Sequence, residues 1–225
     1  MANRIFALHT STHAPDLSTS AALTKAALEQ MVAWNPKAEV RWVNGAELYV
    51  APNLSCYANG KKHCADPASG PYRCWANVEA KGRDQMPVVY DNLAWCDTFI
   101  LSTSNRWGSH SAVAQNIIER MNTLENRGSS WGEPYPLRGK RLGVVVTGQH
   151  WKTGEVAKGL LDALKWWGFA ADDRCALTWQ RSNDPFFEQP DNNLPIEQKW
   201  LLTEAGRRAV TTFAGSVERA TRVVV

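Results

Sequence analysis

Three polar stretches, each following an apolar run, carry the residue types that could do chemistry. The first, "HTSTHAPDLSTS" (His9 to Ser20), follows Ile5-Phe6-Ala7-Leu8. It is crowded with hydroxyls and has no glycine, and no lysine or arginine occurs between Arg4 and Lys25. It leads into a helical pattern. The free N–H groups and positive dipole end of a helix N-terminus favour an anion. Hydroxyls add donors there without adding charge. Neither G-x-x-x-x-G-K-[ST] nor G-x-G-x-x-G occurs, so the usual triphosphate and dinucleotide fingerprints are missing. A single phosphate monoester, held by hydroxyls and amides, suits the stretch better. The local alternative is that these residues only cap a helix and fill a turn.

The second stretch is "TSNRWGSHSAV", from Thr103. Trp107 could flank a flat ring, and Gly108 would let backbone approach that ring closely. Thr103 and Asn105 could reach ring-edge nitrogens and oxygens, with Ser104 and Arg106 in the same candidate set. The alternative is a solvent-facing turn with Arg106 stacked on Trp107. In the third stretch, "TGQHWKTG", Thr147, Gly148, Gln149 and His150 could supply donors to a carbonyl edge. A lone histidine is more often structural than catalytic. We therefore expect no catalytic side chain and no metal ligand in these loops.

These loops need elements to hold them. Arg4–Leu8 reads as a short buried strand, and Ser18–Trp34 as a helix stopped by Asn35-Pro36. Glu39–Val43 alternates polar and apolar, as a strand nearer an edge does. Met86–Trp95 is a helix with Pro87 in its first turn. Thr98–Ser102 is a strand, Ser111–Asn126 a helix, and Arg141–Val146 a strand. Trp151–Trp167 is a helix stopped by Gly168, Arg174–Thr178 a last strand, and Ile196–Arg219 mostly helical. Five strands alternating with helices imply a parallel sheet covered on both faces. The unbroken apolar character of strands 1, 3 and 4 agrees. A flavodoxin-like α/β fold, doubly wound with strand order 2-1-3-4-5, would put a ligand at the carboxyl ends of strands 1 and 3. The loops there are the two unusual ones.

The 225 residues are expected to form one domain, 1–225, with a long excursion at 45–84 and a C-terminal extension and helix at 180–225. A net charge of +3 is too small to argue for nucleic acid. No run approaches the length of a membrane span, and no signal peptide precedes the first strand, so we expect no membrane and a cytoplasmic protein. The excursion holds Cys56, Cys64 and Cys74. Their spacing does not suit a compact four-cysteine cluster. It also suits poorly a zinc site completed by His63. The plain reading is loop thiols packed on Tyr57, Tyr72 and Trp75.

One resemblance is specific. "DQMPVVYDNLAWCDTFILSTSNRWGSHSAVAQNIIERM" resembles the central segment of the NAD(P)H-dependent FMN reductases and iron–sulfur flavoproteins. "LRGKRLGVVVTG" is similar to the strand-4 segment of that family and of the WrbA-type quinone reductases. The first loop departs from it, with His9-Thr10-Ser11 where Gly-Ser is usual. The resemblance covers most of residues 4 to 170. It implies non-covalent FMN and NADPH or NADH as co-substrate. It also implies a small-molecule electron acceptor, a quinone or flavin, and a homodimer or homotetramer. On this reading the anion is the FMN phosphate, with Ser11, Ser18, Thr19 and Ser20 as the hydroxyls that the resemblance implies for it. A flavodoxin-like electron carrier and a flavodoxin-fold binding module that has lost FMN are the alternatives. Arg106 and Lys152 could each meet a 2′-phosphate.

Overall fold

A computed structural model describes residues 3–56, 64, 74–183 and 196–220. Five parallel strands form one sheet: β1 (Arg4–His9), β2 (Glu39–Asn44), β3 (Thr98–Ser104), β4 (Arg141–Gly148) and β5 (Ala176–Gln180). Their order is β2-β1-β3-β4-β5, the flavodoxin-like order the sequence implied. The helices are α1 (Thr19–Trp34), α2 (Trp75–Glu79), α3 (Met86–Trp95), α4 (Ala112–Trp131), α5 (Thr153–Trp166), α6 (Ile196–Leu202) and α7 (Glu204–Arg219).

The strands sort themselves by burial. β3 is buried at Thr98 to Thr103, and β4 at Leu142 to Thr147. β2, half exposed along its length, takes an edge. Phe6 pairs in register with Phe99 across β1 and β3, and their rings stack at 5.4 Å. Phe169 extends that stack, 5.7 Å from Phe99. Right-handed crossovers set the faces. The connection from β1 to β2 runs one way along the sheet, and those from β2 to β3, β4 and β5 run the other. So α1 shares one face with α7, against which it packs, and α3, α4 and α5 cover the opposite face. The winding reverses between β1 and β3, where such folds open a crevice at the carboxyl ends of the strands.

Gly143 shows how tightly α7 sits on β4. A Cβ there would lie 2.7 Å from Phe213 Cζ and 3.0 Å from Val217 Cγ2. Gly143→Ala is expected to cost about 1–3 kcal/mol by overpacking. Thermal unfolding would register this as about 2–4 °C per kcal/mol. An unchanged melting temperature would show that α7 does not press on β4 here.

Several boundaries move from their expected places, each for a local reason. Ser18 is the N-cap of α1, not its first residue, and accepts from Ala21 N at 3.4 Å. β2 runs one residue further than expected, to Asn44. β3 and β4 each run two residues further, because Ser104 still pairs with Thr147. α4 continues past Asn126 to Trp131, where Gly132 at φ +67° supplies a left-handed cap. α5 starts at Thr153 because Lys152 is left-handed at φ +59°. The last strand begins at Ala176, since Asp172 caps a 3-10 turn over Asp173–Cys175 by accepting from Arg174 N at 2.8 Å. The expected C-terminal helix is two helices. Thr203 donates to Trp200 O at 2.6 Å and accepts from Gly206 N at 3.0 Å, closing α6 and opening α7. The excursion contains a 3-10 turn, Gly45–Glu47, and α2. Tyr57, His63 and Tyr72 lie outside the described residues, as do 184–195 of the irregular stretch. Among the described residues no helix is long and apolar enough to cross a membrane.

Candidate active site

The loops after β1, β3 and β4 meet at the reversal of winding, and they are laced together by their own hydroxyls. Thr10 is fully buried, and both its N–H and its hydroxyl donate to Ser102 O at 2.8 Å. Ser111 N donates to Thr103 Oγ1 (3.2 Å), which donates to Ser111 Oγ (3.2 Å), which donates to Thr10 O (2.7 Å). Ser111 also caps α4, accepting from Ala114 N at 3.1 Å. Thr103, proposed from sequence to reach a ring edge, is thus buried beneath the loop and holds its shape. Thr10 and Ser111 share that work, and neither was among the candidate site residues. Adjacent hydroxyls at two strand ends were the available signal.

The four candidate hydroxyls of the first loop divide. Ser18 caps α1 and lies 3.1 Å from Ser20 Oγ. Ser20 is buried, and its carbonyl accepts from Ser102 Oγ at 3.1 Å and Thr24 Oγ1 at 2.7 Å. Both therefore fix the start of the helix. Ser11 accepts from His13 N at 3.3 Å and so shapes the turn itself. Thr19, half-buried, is the first residue of α1. Arg106 brings a cation that the first loop lacks: its Nη2 donates to Thr12 Oγ1 at 3.5 Å. Spacing alone could not place that contact, because the two residues sit on different loops.

His9 occupies the position where the family pattern has glycine. Its side chain is fully buried and stacked on Trp42 at 5.6 Å. Nδ1 lies 3.3 Å from Ser102 Oγ, and that hydroxyl already donates to Ser20 O. Nδ1 therefore carries the proton. Nε2 is buried without a hydrogen-bond partner. Burial pushes the His9 pKa down to about 4, so the ring is neutral at ordinary pH. The bulk is accommodated against Trp42, and it leaves the loop no extra charge.

The second and third loops form the other end of the site. Asn105 N donates to Thr147 O at 2.7 Å, and its side chain donates to Trp151 O. Asn105 Oδ1 accepts from Gly108 N at 3.0 Å. Asn105 is thus the clasp between the two loops. Arg106 and Ser109 exchange backbone hydrogen bonds at 2.7 and 3.0 Å. At the tip of this turn Trp107 is left-handed (φ +53°) and 93% exposed. A bulky residue held there is strained, and such strain collects at functional sites. Gly108 follows at φ +79°, where a Cβ would meet Lys152 Cδ at 3.1 Å and the Trp151 ring at 3.6 Å. Lys152 Nζ lies 4.9 Å from the Trp151 ring centroid. Gln149 and His150 expose their side chains, while their carbonyls accept from Ser182 N (2.8 Å) and Ser182 Oγ (3.3 Å). The loop after β5 thus buttresses the third loop, a contact the sequence did not suggest. Besides His9 Nε2, one more group at these loops is left over. Ser104 Oγ, at the carboxyl end of β3, is buried and has no hydrogen-bond partner.

This arrangement suits an elongated ligand with an anion at one end and a flat ring at the other. The α1 N-terminus and Arg106 lie at the first end. Trp107, Gly108 and Trp151 lie at the second, and Ser104 ends β3 in register with Thr147 of β4. FMN has these features, and the donor set fits it without a lysine. Among the described residues no group of His, Cys, Asp or Glu is arranged to hold a metal ion. A cavity of about 820 Å³ lies elsewhere, between β5 and α7, lined by Arg174, Thr178, Arg208 and Phe213.

Known proteins agree with the family and the fold. The family model for NADPH-dependent FMN reductase matches residues 3–179. No curated protein matches the sequence. Among solved structures, RosB with bound 8-demethyl-8-formylriboflavin-5′-phosphate is similar at TM-score 0.66 and 17% identity, over 96% of this chain and 77% of that one. The FMN-dependent NADH-azoreductase of Bacillus anthracis, in complex with FMN, gives TM-score 0.59 and 12% identity, over 96% of this chain and 99% of that one. An NADH:FMN oxidoreductase (EMOB) in its apo form gives 0.56 and 16%, over 99% and 95%. At such identities these structures speak for the fold.

Proposed function

The chain belongs to the NADPH-dependent FMN reductase family and is an FMN-dependent NAD(P)H oxidoreductase; from that premise we propose that the loops after β1, β3 and β4 hold the FMN, and that electrons leave for a quinone, a flavin or a similar flat acceptor. The observation that carries the site assignment is the orphaned Ser104 hydroxyl at the carboxyl end of β3, beside Thr147 of β4. A buried hydroxyl without a partner is costly unless a ligand completes it.

Each end of the site has its task. Ser11, Ser18, Thr19 and Ser20 set the first turn of α1, whose free N–H groups face the phosphate. Arg106 adds charge from the neighbouring loop. Asn105 sets the spacing between the second and third loops, while Thr103 and Thr147 hold the strand ends beneath it. Trp107 and Gly108 border the ring, and Gln149 and His150 line its outer edge through Gly148. FMN held by these residues would supply the redox chemistry between the nicotinamide and the acceptor. Few side chains of the protein therefore need be catalytic. The exposed faces of Trp107, Trp151 and Leu17 favour flat apolar acceptors stacking in turn with the nicotinamide. The five free cysteines favour the reducing cytoplasm. Exposed Trp34 and Trp166 favour a homodimer or homotetramer.

The purified protein is expected to show flavin absorption bands that bleach when NADPH is added without oxygen. A quinone should then restore them. Bands that do not bleach would instead indicate an electron carrier. A protein that stays colourless after incubation with FMN would remove the site assignment.

A further inference from the structure

The sequence offers two cations for a 2′-phosphate, Arg106 and Lys152, and the structure separates them. Arg106 turns toward the first loop: its Nη2 donates to Thr12 Oγ1 at 3.5 Å, and its backbone is tied to Ser109 at 2.7 and 3.0 Å. It belongs to the end of the site that faces the FMN phosphate. Lys152 stands on the third loop, at the other end. Its Nζ lies 4.9 Å from the Trp151 ring centroid, within cation–π range. Its stem runs beside the second loop, because a Cβ on Gly108 would lie 3.1 Å from Lys152 Cδ and 3.6 Å from the Trp151 ring. Glycine at 108 is what lets the lysine stem and the indole close on that loop.

Lys152 is strained where it stands. It is left-handed at φ +59°, a conformation that suits glycine or asparagine. Its carbonyl accepts from Val156 N at 3.0 Å and so starts α5, which pins the backbone in that conformation. Strain of this kind gathers at functional sites. The ammonium has one weak acidic neighbour. Glu155 Oε2 is 4.0 Å away, and the two side chains are 44% and 74% exposed, so the pair contributes little and yields to a stronger anion. Trp151 is itself about half exposed, which leaves flat apolar surface beside the charge.

We propose that Lys152 reads the 2′-phosphate of NADPH and so sets a preference for NADPH over NADH, with the adenine against the exposed part of the Trp151 indole. Adenine and the 2′-phosphate are carried on neighbouring carbons of one ribose. A ligand that lays its adenine on this indole therefore brings the phosphate to the ammonium beside it. Lysine meets phosphate as a point charge and needs no fork geometry. NADH presents a hydroxyl at the same place and makes no ion pair. The assignment rests on the reading that the FMN ring lies at the second and third loops, since the dinucleotide has to reach that ring.

The test compares the FMN-loaded protein with its Lys152→Gln variant, which removes the charge and keeps most of the stem. The ratio of kcat/KM for NADPH to kcat/KM for NADH is expected to fall about 10-fold, carried by KM for NADPH, as the loss of one charge-assisted contact at a half-exposed site implies. Added salt should narrow the wild-type ratio. A binding readout complements turnover. Calorimetric titration should show adenosine 2′,5′-bisphosphate binding the wild type more tightly than adenosine 5′-monophosphate, and the two should draw together in Lys152→Gln. Arg106→Gln should weaken FMN binding, which separates the two cations. An NADPH preference that survives in Lys152→Gln would overturn the assignment while the flavin site stands. So would a wild-type chain that binds both adenosine phosphates equally. If the chain takes up no FMN, the flavin reading fails, and the same titration still decides for Lys152.

Discussion

Asp84→Ala is expected to lower stability by about 3–5 kcal/mol, because it leaves Arg120 charged and unpaired in the interior. Both side chains are fully buried, and their 2.5 Å contact is one part of a fuller set. Asp84 Oδ1 accepts from Ala51 N at 3.1 Å and from Met86 N at 3.3 Å. Arg120 O accepts from Tyr90 Oη at 2.7 Å. The carboxylate thus ties the chain at Ala51 and the start of α3 to the middle of α4. Thermal unfolding should report a loss of about 2–4 °C per kcal/mol. The double variant Asp84→Ala/Arg120→Met should recover part of it, since a buried pair replaced by apolar volume is often neutral. A single-variant loss under about 1 kcal/mol would mean that water reaches the pair and screens it.

That pair was not legible in the sequence, and the reason is physical. Arg120 lies one residue before Met121 in a helix whose apolar face is easily read. A charged residue there looks like the solvent side until the excursion is folded over it. Asp84 is 36 positions away and ends a stretch without periodic pattern. The sheet was legible because burial on both faces writes itself into β3 and β4 as unbroken apolar runs. The loops were legible because hydroxyls, Trp107 and Gly108 gather at the ends of those runs. The roles within the loops were not. Thr103 and Ser104 are adjacent and chemically alike. The strand pleat sends one to Ser111, and the hydroxyl of the other is left buried without a partner. Which hydroxyl serves structure and which is left for a ligand depends on register, and register is set by the partner strand.

Gly148→Val is expected to reduce kcat/KM by about 10²-fold while costing little of the fold, because it acts on loop spacing and not on the core. Gly148 ends β4, and even a Cβ there would lie 2.8 Å from Thr153 Oγ1 and 3.0 Å from Asn105 Cβ. Thr153 is the first residue of α5, so it yields little. Asn105 is the side that gives, and it holds both the Trp151 carbonyl and the Gly108 N–H. Displacing it opens the gap between the second and third loops and moves Gly108 and Trp107 together. The ring end of the site then widens, whereas the α1 end, laced by Thr10 and Ser111, stays as it is. FMN should therefore still bind by its phosphate but sit loosely. Flavin titration should show weakened but measurable binding, and steady-state kinetics should show kcat falling more than KM rises. Equal binding and full turnover in this variant would mean that the clasp at Asn105 does not set the ring's position, and that the flat end of the ligand lies outside the gap between the second and third loops.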